Sequence, residues 1–297
     1  ALCNLGFIYL QGLGVNQNIS EAKKYFEKSA KENNSTAMFN LGQIYLLGFD
    51  EPKDLDKAKY YLKKAAKLNH SYALVNLGDL YFDEYGLKKD YLKAKKYFER
   101  AAELKNSEGY LKLAVLYLKG WGVSKDIEKA KKYLESSALL NNPMTNYNLG
   151  LLYSGMLKDE EDPQKALDYF EVAAKQNNPG ALYYLGNLYS NGIICKIDIN
   201  KAINCYERCI NHDNEIIYHN SPFDCFIGHC YYYNKFKYPS YNDLGLIYIT
   251  IFKDVNKSEE NLKEAAFAEY PFGQNNYGLL NQFYLNKTEN AKHFYKR

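Results

Sequence analysis

The chain has 297 residues and a formal net charge of +3, from 38 Lys and Arg against 35 Asp and Glu. Such a balance gives no reason to expect a nucleic-acid or membrane partner that is selected by charge. No stretch of 18 consecutive apolar residues occurs, so the sequence predicts no transmembrane helix. The length is enough to bury a large core, and only seven prolines interrupt it, which leaves room for long helices.

A 36-residue period runs through the first two thirds of the chain. A Leu followed by a small residue recurs at this interval, and a Tyr always comes three residues later. The small residues are Gly6, Gly42, Gly78, Ala114, Gly150 and Gly186. A second row with the same period is Ala22, Ala58, Ala94, Ala130, Ala166 and Ala202. Apolar residues at spacings of three and four around both rows predict amphipathic helices in every repeat.

Capping residues divide each repeat into two helices. The second helices open with Asn18, Asp54, Asp90, Asp126, Asp162 and Asp198. The first helices open at Ser35, Ser71, Ser107, Pro143 and Pro179, where Ser is expected to cap the helix. Glycines between the two helices suit a turn. We therefore predict an all-α fold, a right-handed superhelical solenoid in which the glycine row packs against alanine pairs of a neighbouring unit.

The clearest repeat lies between Ser107 and Leu140. It carries Leu113-Ala114, Tyr117, Gly120-Trp121-Gly122-Val123, Asp126, Lys129-Ala130 and Tyr133. This pattern resembles the Sel-one-like repeat family, a longer relative of the tetratricopeptide repeat. The resemblance implies a scaffold or adaptor that binds protein or peptide segments in the concave groove of the solenoid. It also implies that a parent protein can carry a further module such as a kinase.

The repeat becomes irregular after residue 212. We predict six regular repeats over residues 1–212, an irregular insertion with an extra helix over 213–240, and two shorter capping repeats over 241–297. The signature returns at Leu244-Gly245 with Tyr248, and Gly278 follows Gly245 by 33 residues. The loop between the two helices is therefore expected to be three residues shorter there.

The resemblance also indicates which side chains face the groove, namely the residue two before each small residue. Helical spacing adds the residues three and seven positions later. The predicted partner-binding residues are Asn4, Phe7, Asn40, Gln43, Asn76, Asp79, Asp83, Lys112, Lys119, Asn148, Tyr184 and Asn187. The repeated Asn can bond the amides of an extended peptide, or can instead bond neighbouring helices of the solenoid. The acids among these residues, beside the two lysines, predict a charge dipole that sets peptide direction.

The cysteines cluster, with five of six between positions 195 and 230, and three His lie near them. A zinc site is one interpretation. However, Cys205 occupies the repeated Tyr position and Cys209 the repeated Ser or Ala position, as expected of a small core residue. We therefore predict no metal and no cofactor. No cysteine pair recurs in the repeats, which favours a reducing, cytoplasmic setting. Asn-x-Ser/Thr sequons occur at Asn18, Asn33, Asn34, Asn69, Asn256 and Asn286, which we interpret as chance in an Asn-rich chain.

Catalytic motifs are incomplete. Ser20 and Lys23 have the Ser-x-x-Lys spacing of penicillin-recognising hydrolases, but the companion Ser-Asp-Asn and Lys-Thr-Gly segments are missing. We predict a monomer that is not an enzyme, with no catalytic residue, no nucleic-acid partner and no membrane insertion. Two alternatives stay open: a helical repeat that binds single-stranded RNA, and a lumenal adaptor of a ubiquitin-linked protein degradation complex.

Overall fold

The structure is a computed structural model. It describes residues 1–49, 52–82, 89–154, 162–192, 195–211, 234–285 and 287–295. Within these ranges the chain forms helices and no β-strand, which confirms the all-α prediction. The chain divides into two compact units, Ala1–Asn142 and Pro143–Arg297. We refer to them as unit 1 and unit 2.

Unit 1 is a stack of helical hairpins. Its helices are α1 (Leu2–Gln11), α2 (Ile19–Lys31), α3 (Ser35–Leu47), α4 (Leu55–Lys67), α5 (Ser71–Phe82), α6 (Tyr91–Glu103), α7 (Ser107–Lys119) and α8 (Ile127–Ala138). Each odd-numbered helix packs on the even-numbered helix that follows it, and α2, α4 and α6 also pack on the next hairpin. This alternation is the packing of a helical-repeat solenoid.

Unit 2 repeats the alternation. Its helices are α9 (Pro143–Tyr153), α10 (Pro163–Lys175), α11 (Pro179–Asn191), α12 (Ile199–Ile210), α13 (Asn234–Ile247), α14 (Val255–Phe267), α15 (Pro271–Phe283) and α16 (Thr288–Tyr295), with a π-helical turn at Tyr248–Phe252. Here too, odd-numbered helices pair with the helices that follow, and α12 packs on α13. We call the odd-numbered helices first helices and the even-numbered ones second helices.

The glycine row and the alanine pairs do not pack against each other, contrary to our prediction; each packs against a different helix. The glycine of a first helix faces the second helix of its own hairpin: a Cβ built on Gly78 would lie 2.2 Å from Cε1 of Phe98, which is fully buried. The alanine pairs instead face the next hairpin. A Cβ built on Gly109 would lie 2.8 Å from Cβ of Ala101. Glycine thus sets the spacing within a hairpin, and alanine sets the spacing between hairpins.

Side chains cap both helices of the hairpin, but not all at the predicted residue. The second-helix caps are as expected: Oδ1 of Asp54 accepts a hydrogen bond from the backbone N–H of Lys57 at 2.9 Å. In the first helices the cap lies one residue before the predicted Ser. Oδ1 of Asn106 accepts from the backbone N–H of Gly109 at 3.0 Å, and its Nδ2 donates to Oγ of Ser71. The Asn therefore caps one helix and bonds the preceding hairpin.

Turn geometry accounts for the Asn that precedes several of these caps. Asn33, Asn69, Asn141 and Asn177 all have φ between 56° and 60°. This left-handed conformation is unfavourable for most side chains, and Asn tolerates it better than they do. Two of the sequon asparagines, Asn33 and Asn69, therefore recur because the turn between hairpins requires this backbone conformation.

Stability at low pH depends on the capping carboxylates. In Asp54 and Asp162 the pKa lies below its ordinary value, because each carboxylate accepts a hydrogen bond from the backbone N–H three residues later and another from that lysine's side chain. Such a group stabilises the fold above its unfolded pKa, and the contribution disappears as pH falls through its folded pKa. We expect the fall in Tm below about pH 4 to be smaller in Asp54→Asn/Asp162→Asn than in the wild type, since Asn caps without titrating.

Circular dichroism melts from neutral to acid pH measure this difference. At neutral pH the two proteins should melt within a few degrees of each other, because both residue types cap well. Parallel curves of Tm against pH would show that the charge of these caps contributes nothing.

The irregular segment lies largely outside the described residues. Residues 212–233, which include most of the insertion with an extra helix predicted over 213–240, lie outside the described residues. Helix α13 begins at Asn234 and packs as a first helix, since Gly245 faces Leu262 of α14. Nine residues separate Gly245 from the capping Asp254, whereas twelve separate Gly42 from Asp54. The connection is three residues shorter, as the spacing of the glycines predicts.

Candidate partner-binding face

The predicted binding residues lie on one face of the first helices. The small residue of each first helix faces the second helix of its hairpin, as Gly42 faces Leu62. Two residues are about 200° apart around an α-helix, so the residue two positions earlier lies almost opposite this contact. We call the resulting surface the first-helix face. It comprises the positions two before, one after and five after the small residue.

Three half-buried side-chain amides on this face are not bonded by the part of the chain that the structure describes. Asn40 and Gln43 on α3 and Asn76 on α5 are each half-buried. Among the residues that the structure describes, none forms a hydrogen bond with any of these three side chains. The interpretation that the repeated Asn serves to bond neighbouring helices therefore does not fit Asn40 and Asn76. Their donors and acceptors are available to a ligand.

Asp79 and Lys112 have a different role from the predicted one. Nζ of Lys112 lies 3.2 Å from Oδ1 of Asp79, and the two residues are only 2% and 7% exposed. The pair joins α5 to α7, so its charges neutralise each other inside the protein instead of facing a bound segment. The predicted charge dipole is thus corrected: these two residues bond neighbouring first helices. Asp83, the third charge of that prediction, lies outside the described residues.

The remaining predicted residues of unit 1 are accessible. Asn4 and Phe7 on α1 are exposed, and the Phe7 side chain is 48% exposed. Lys119, the last residue of α7, is exposed as well. The accessible first-helix face of unit 1 therefore includes an aromatic ring, the exposed amide of Asn4, the three half-buried amides and one lysine.

In unit 2 the same positions are more enclosed. Asn148 is 1% exposed, and neither atom of its side-chain amide has a hydrogen-bond partner within the described ranges. Tyr184 is half-buried, and its ring stacks on Phe170 with centroids 5.4 Å apart. Asn187 accepts a hydrogen bond from the hydroxyl of Tyr206 at 2.6 Å. We conclude that Asn148 is inaccessible to a ligand and that the side-chain oxygen of Asn187 is already bonded to Tyr206.

The structure adds one polar residue to this face that our sequence analysis missed. Asp243 of α13 lies two residues before Gly245, and it accepts a hydrogen bond from the amide of Asn242 at 3.0 Å. Burial raises its pKa, against the opposing effects of the Asn242 amide and of the nearby Tyr183 hydroxyl. Sequence reasoning missed Asp243 because the irregular segment before it breaks the 36-residue register. The Leu-Gly step at Gly245 was the available signal.

Stacked helical hairpins of this kind define a helical-repeat protein. The Sel1 repeat profile matches residues 1–34, 35–70, 71–106, 107–142, 143–178 and 179–214. The chain belongs to the Sel1 repeat family, whose repeats form scaffolds for protein interactions. The family resemblance drawn from the sequence is thereby confirmed.

Solved structures agree with this assignment. A Sel1 repeat protein from Oxalobacter formigenes is 32% identical over 69% of this chain and 84% of that protein, with a TM-score of 0.65. A protective antigen of uropathogenic Escherichia coli strains that displays an SLR fold is 23% identical over 99% of this chain, with a TM-score of 0.70. This chain spans 60% of the length of that antigen. An immunity protein from Pseudomonas aeruginosa, 20% identical over 69% of this chain and 80% of its own length, has a TM-score of 0.51. The latter two likenesses show the fold alone.

A search of curated proteins finds no match to the chain. Within the described ranges, every helix is too short or too polar to span a bilayer.

Proposed function

We propose that this protein is an adaptor that binds an extended segment of a partner protein on the first-helix face of unit 1, without catalysis of its own. One observation carries the proposal: Asn40, Gln43 and Asn76 are half-exposed amides on consecutive first helices, and no described residue bonds them. The charged residues Asp79 and Lys112 of the same helix positions are bonded to each other, whereas the half-exposed amides remain accessible to a ligand.

The chemistry of the amides suits a main chain. Each side-chain amide offers two N–H donors and one acceptor oxygen, which match the N–H and C=O of an extended peptide. Asn40 and Asn76 hold equivalent positions on α3 and α5, and Gln43 lies one turn further along α3. A peptide that crosses both helices can therefore bond a side chain at each. Hydrogen bonds of this kind fix register, and side-chain contacts supply specificity.

An apolar anchor lies on the same face of α1. The ring of Phe7 is 48% exposed, and buried aromatic side chains carry much of the energy of protein interfaces. Because the ion pair of Asp79 and Lys112 is neutral and enclosed, this face favours a segment that is selected by hydrogen bonds and shape. Lys119 is the exposed charge that we assign to it. We include Asn4 at the edge of the face, beside Phe7.

The proposal places the protein in the cytoplasm, as a monomer without a cofactor. The thiols Cys3, Cys195, Cys205 and Cys209 are unpaired, in keeping with a reducing compartment. Burial raises the pKa of Cys205 and Cys209 to about 11, so both remain protonated and unreactive at neutral pH. In the described ranges, no three His, Cys, Asp or Glu side chains are grouped so as to hold a metal ion.

Selection of peptides from a random library on the immobilised protein tests the proposal. Selected peptides should bind the wild type and lose affinity by roughly tenfold or more on the Asn40→Ala/Asn76→Ala variant, because each lost side-chain hydrogen bond costs about 0.5–1.5 kcal/mol. Fluorescence anisotropy of labelled peptides measures the dissociation constants. Circular dichroism confirms that the variant is folded, as expected for half-exposed positions.

The matched control is Asn200→Ala/Asn204→Ala, which removes two exposed amides from the second helix α12. It should leave the same dissociation constants within about twofold. Two results would show that the first-helix face does not bind the peptides. One is an equal loss of affinity in both variants. The other is that selected peptides bind the Asn40→Ala/Asn76→Ala variant as tightly as the wild type.

A further inference from the structure

A buried tyrosine of α5 lies beneath two lysines. The Tyr81 ring is 7% exposed, and Nζ of Lys59 and of Lys93 lie 5.3 Å and 4.4 Å from its centroid. Burial acts to raise the pKa of Tyr81, but the two nearby ammonium groups favour the phenolate and bring the pKa below its ordinary value. The two lysines come from different hairpins, since Lys59 belongs to α4 and Lys93 to α6. The Tyr81 side chain therefore contacts two ammonium groups of the same charge, one from each of two hairpins.

The next hairpin repeats this arrangement. Nζ of Lys95 and of Lys129 lie 5.9 Å and 4.5 Å from the centroid of the Tyr117 ring, which is 6% exposed. The nearby Tyr117 hydroxyl raises the pKa of Lys129, because its oxygen stabilises the charged ammonium. Ring and hydroxyl restrict the long lysine side chains, so less entropy remains to be lost when a ligand binds them.

These charges are only partly compensated. Lys95 forms a salt bridge with Glu99 at 3.2 Å, but no described carboxylate forms one with Lys59, Lys93 or Lys129. Each ammonium has three N–H donors, and the phenol oxygen accepts only one of them. A carboxylate that lies between two such ammonium groups can accept charge-assisted hydrogen bonds from both and relieve their repulsion.

We infer that these two tyrosines and their four lysines form a second binding surface, for an acidic peptide segment whose carboxylates bridge the lysine pairs. We call this surface the lysine–tyrosine ladder. It lies on a different side of the helices from the first-helix face, because Tyr81 follows Gly78 by three residues whereas Asn76 precedes it by two. The ladder can therefore be occupied independently of that face.

The spacing of the ladder defines the segment that fits. Lys93 and Lys95 lie two residues apart on α6, and so on opposite sides of that helix, and each reaches a different tyrosine. The two sites are thus about one helix diameter apart, roughly 10–12 Å. A chain in the polyproline II conformation has three residues per turn and advances about 3.1 Å per residue, so carboxylates at every third position lie on one side, roughly 9 Å apart, and match the ladder.

A peptide suits the ladder better than a nucleic acid. Glu99 lies within the ladder, and its fixed negative charge opposes a continuous row of phosphates while leaving room for separate carboxylates. The formal net charge of +3 over 297 residues provides no general attraction for a polyanion.

The experiment measures binding of a fluorescein-labelled peptide, acetyl-(Glu-Gly-Ser)4-amide, by fluorescence anisotropy at low salt. The Lys59→Gln/Lys93→Gln/Lys129→Gln variant should raise its dissociation constant by roughly tenfold, from about twofold for each exposed charge pair lost. The matched control is Lys63→Gln/Lys96→Gln/Lys132→Gln, which removes the same charge from exposed positions on the same three helices. The control should change the constant by less than about threefold.

A second peptide of the same composition with its four Glu in one run tests the spacing and should bind more weakly than the spaced peptide. Three results would overturn the inference: no saturable binding of the spaced peptide, equal losses in the two triple variants, or equal affinity for the two peptides. Ladder-dependent binding of single-stranded oligouridine in place of the spaced peptide would also overturn it.

Discussion

Replacement of Gly78 by Leu is expected to lower the free energy of unfolding by about 2–3 kcal/mol. A Cβ at this position already lies 2.2 Å from Cε1 of Phe98, and Phe98 is fully buried, so the ring cannot move aside without disturbing the α5–α6 hairpin. Overpacking of this kind costs about 1–3 kcal/mol or more, and the better helix propensity of Leu offsets only part of the strain. Urea unfolding followed by circular dichroism measures the change.

The chain itself provides the control for this prediction. In the next repeat the glycine position holds Ala114, and the position of Phe98 holds the smaller Leu134; both residues are fully buried. We therefore expect Gly78→Ala to be destabilising alone and less so in combination with Phe98→Leu. A double variant whose loss equals or exceeds the sum of the single losses would show that this contact does not set the spacing within the hairpin.

Removal of one partner of the buried ion pair is expected to have the largest effect of all. Lys112→Met leaves the carboxylate of Asp79 enclosed without the ammonium that lies 3.2 Å from it, and breaking a buried pair in this way costs about 3–5 kcal/mol. Asp79→Asn should be destabilising for the reciprocal reason, because the ammonium of Lys112 remains buried. Chemical unfolding at neutral pH measures both losses.

The double replacement Asp79→Leu/Lys112→Met distinguishes the cost of an unpaired charge from the cost of changing the two side chains. With both charges removed, no ion is left unpaired, and the stability should return to within about 1–2 kcal/mol of the wild type. If Lys112→Met alone proves as stable as the wild type, the two charges do not depend on each other and the assignment of a structural pair is wrong.

The sequence alone predicted the repeat, the helical hairpins and the family, because these follow from periodic small residues and capping signals. It did not predict which surface each small residue meets. A glycine and an alanine pair both indicate close approach, and only the structure shows that Gly78 meets Phe98 while Ala101 meets the next hairpin. The caps shifted by one residue for a similar reason: Asn106 and Ser107 are both good caps, and the bond from Asn106 to Ser71 of the preceding hairpin favours Asn.

The sequence predicts which residues share a face of the first helices, but it does not predict their contacts. Register places Asn76, Asp79 and Lys112 on one face of the first helices, yet register does not reveal whether two opposite charges on neighbouring helices meet each other or a ligand. Packing decides this, since α5 and α7 bring Asp79 and Lys112 within 3.2 Å and exclude water. The lysine–tyrosine ladder was missed because its members come from separate hairpins, and no local motif joins Lys59 to Lys93.

The two proposed surfaces have different chemistry. Free amides and an exposed ring on the first-helix face suit an uncharged extended segment, and paired ammonium groups on the ladder suit an acidic one. Because each proposed surface lies on its own side of the hairpins, the two proposals can be tested independently.

Site-specific photo-crosslinking tests the central claim most directly. A photoreactive phenylalanine analogue replaces Gln43 on the first-helix face in one protein, and the exposed Lys63 of α4 in another. Illumination with a peptide selected on the wild type should yield a crosslink from position 43 and none from position 63. Crosslinks from position 63 without any from position 43 would contradict our account of where this protein binds its partners.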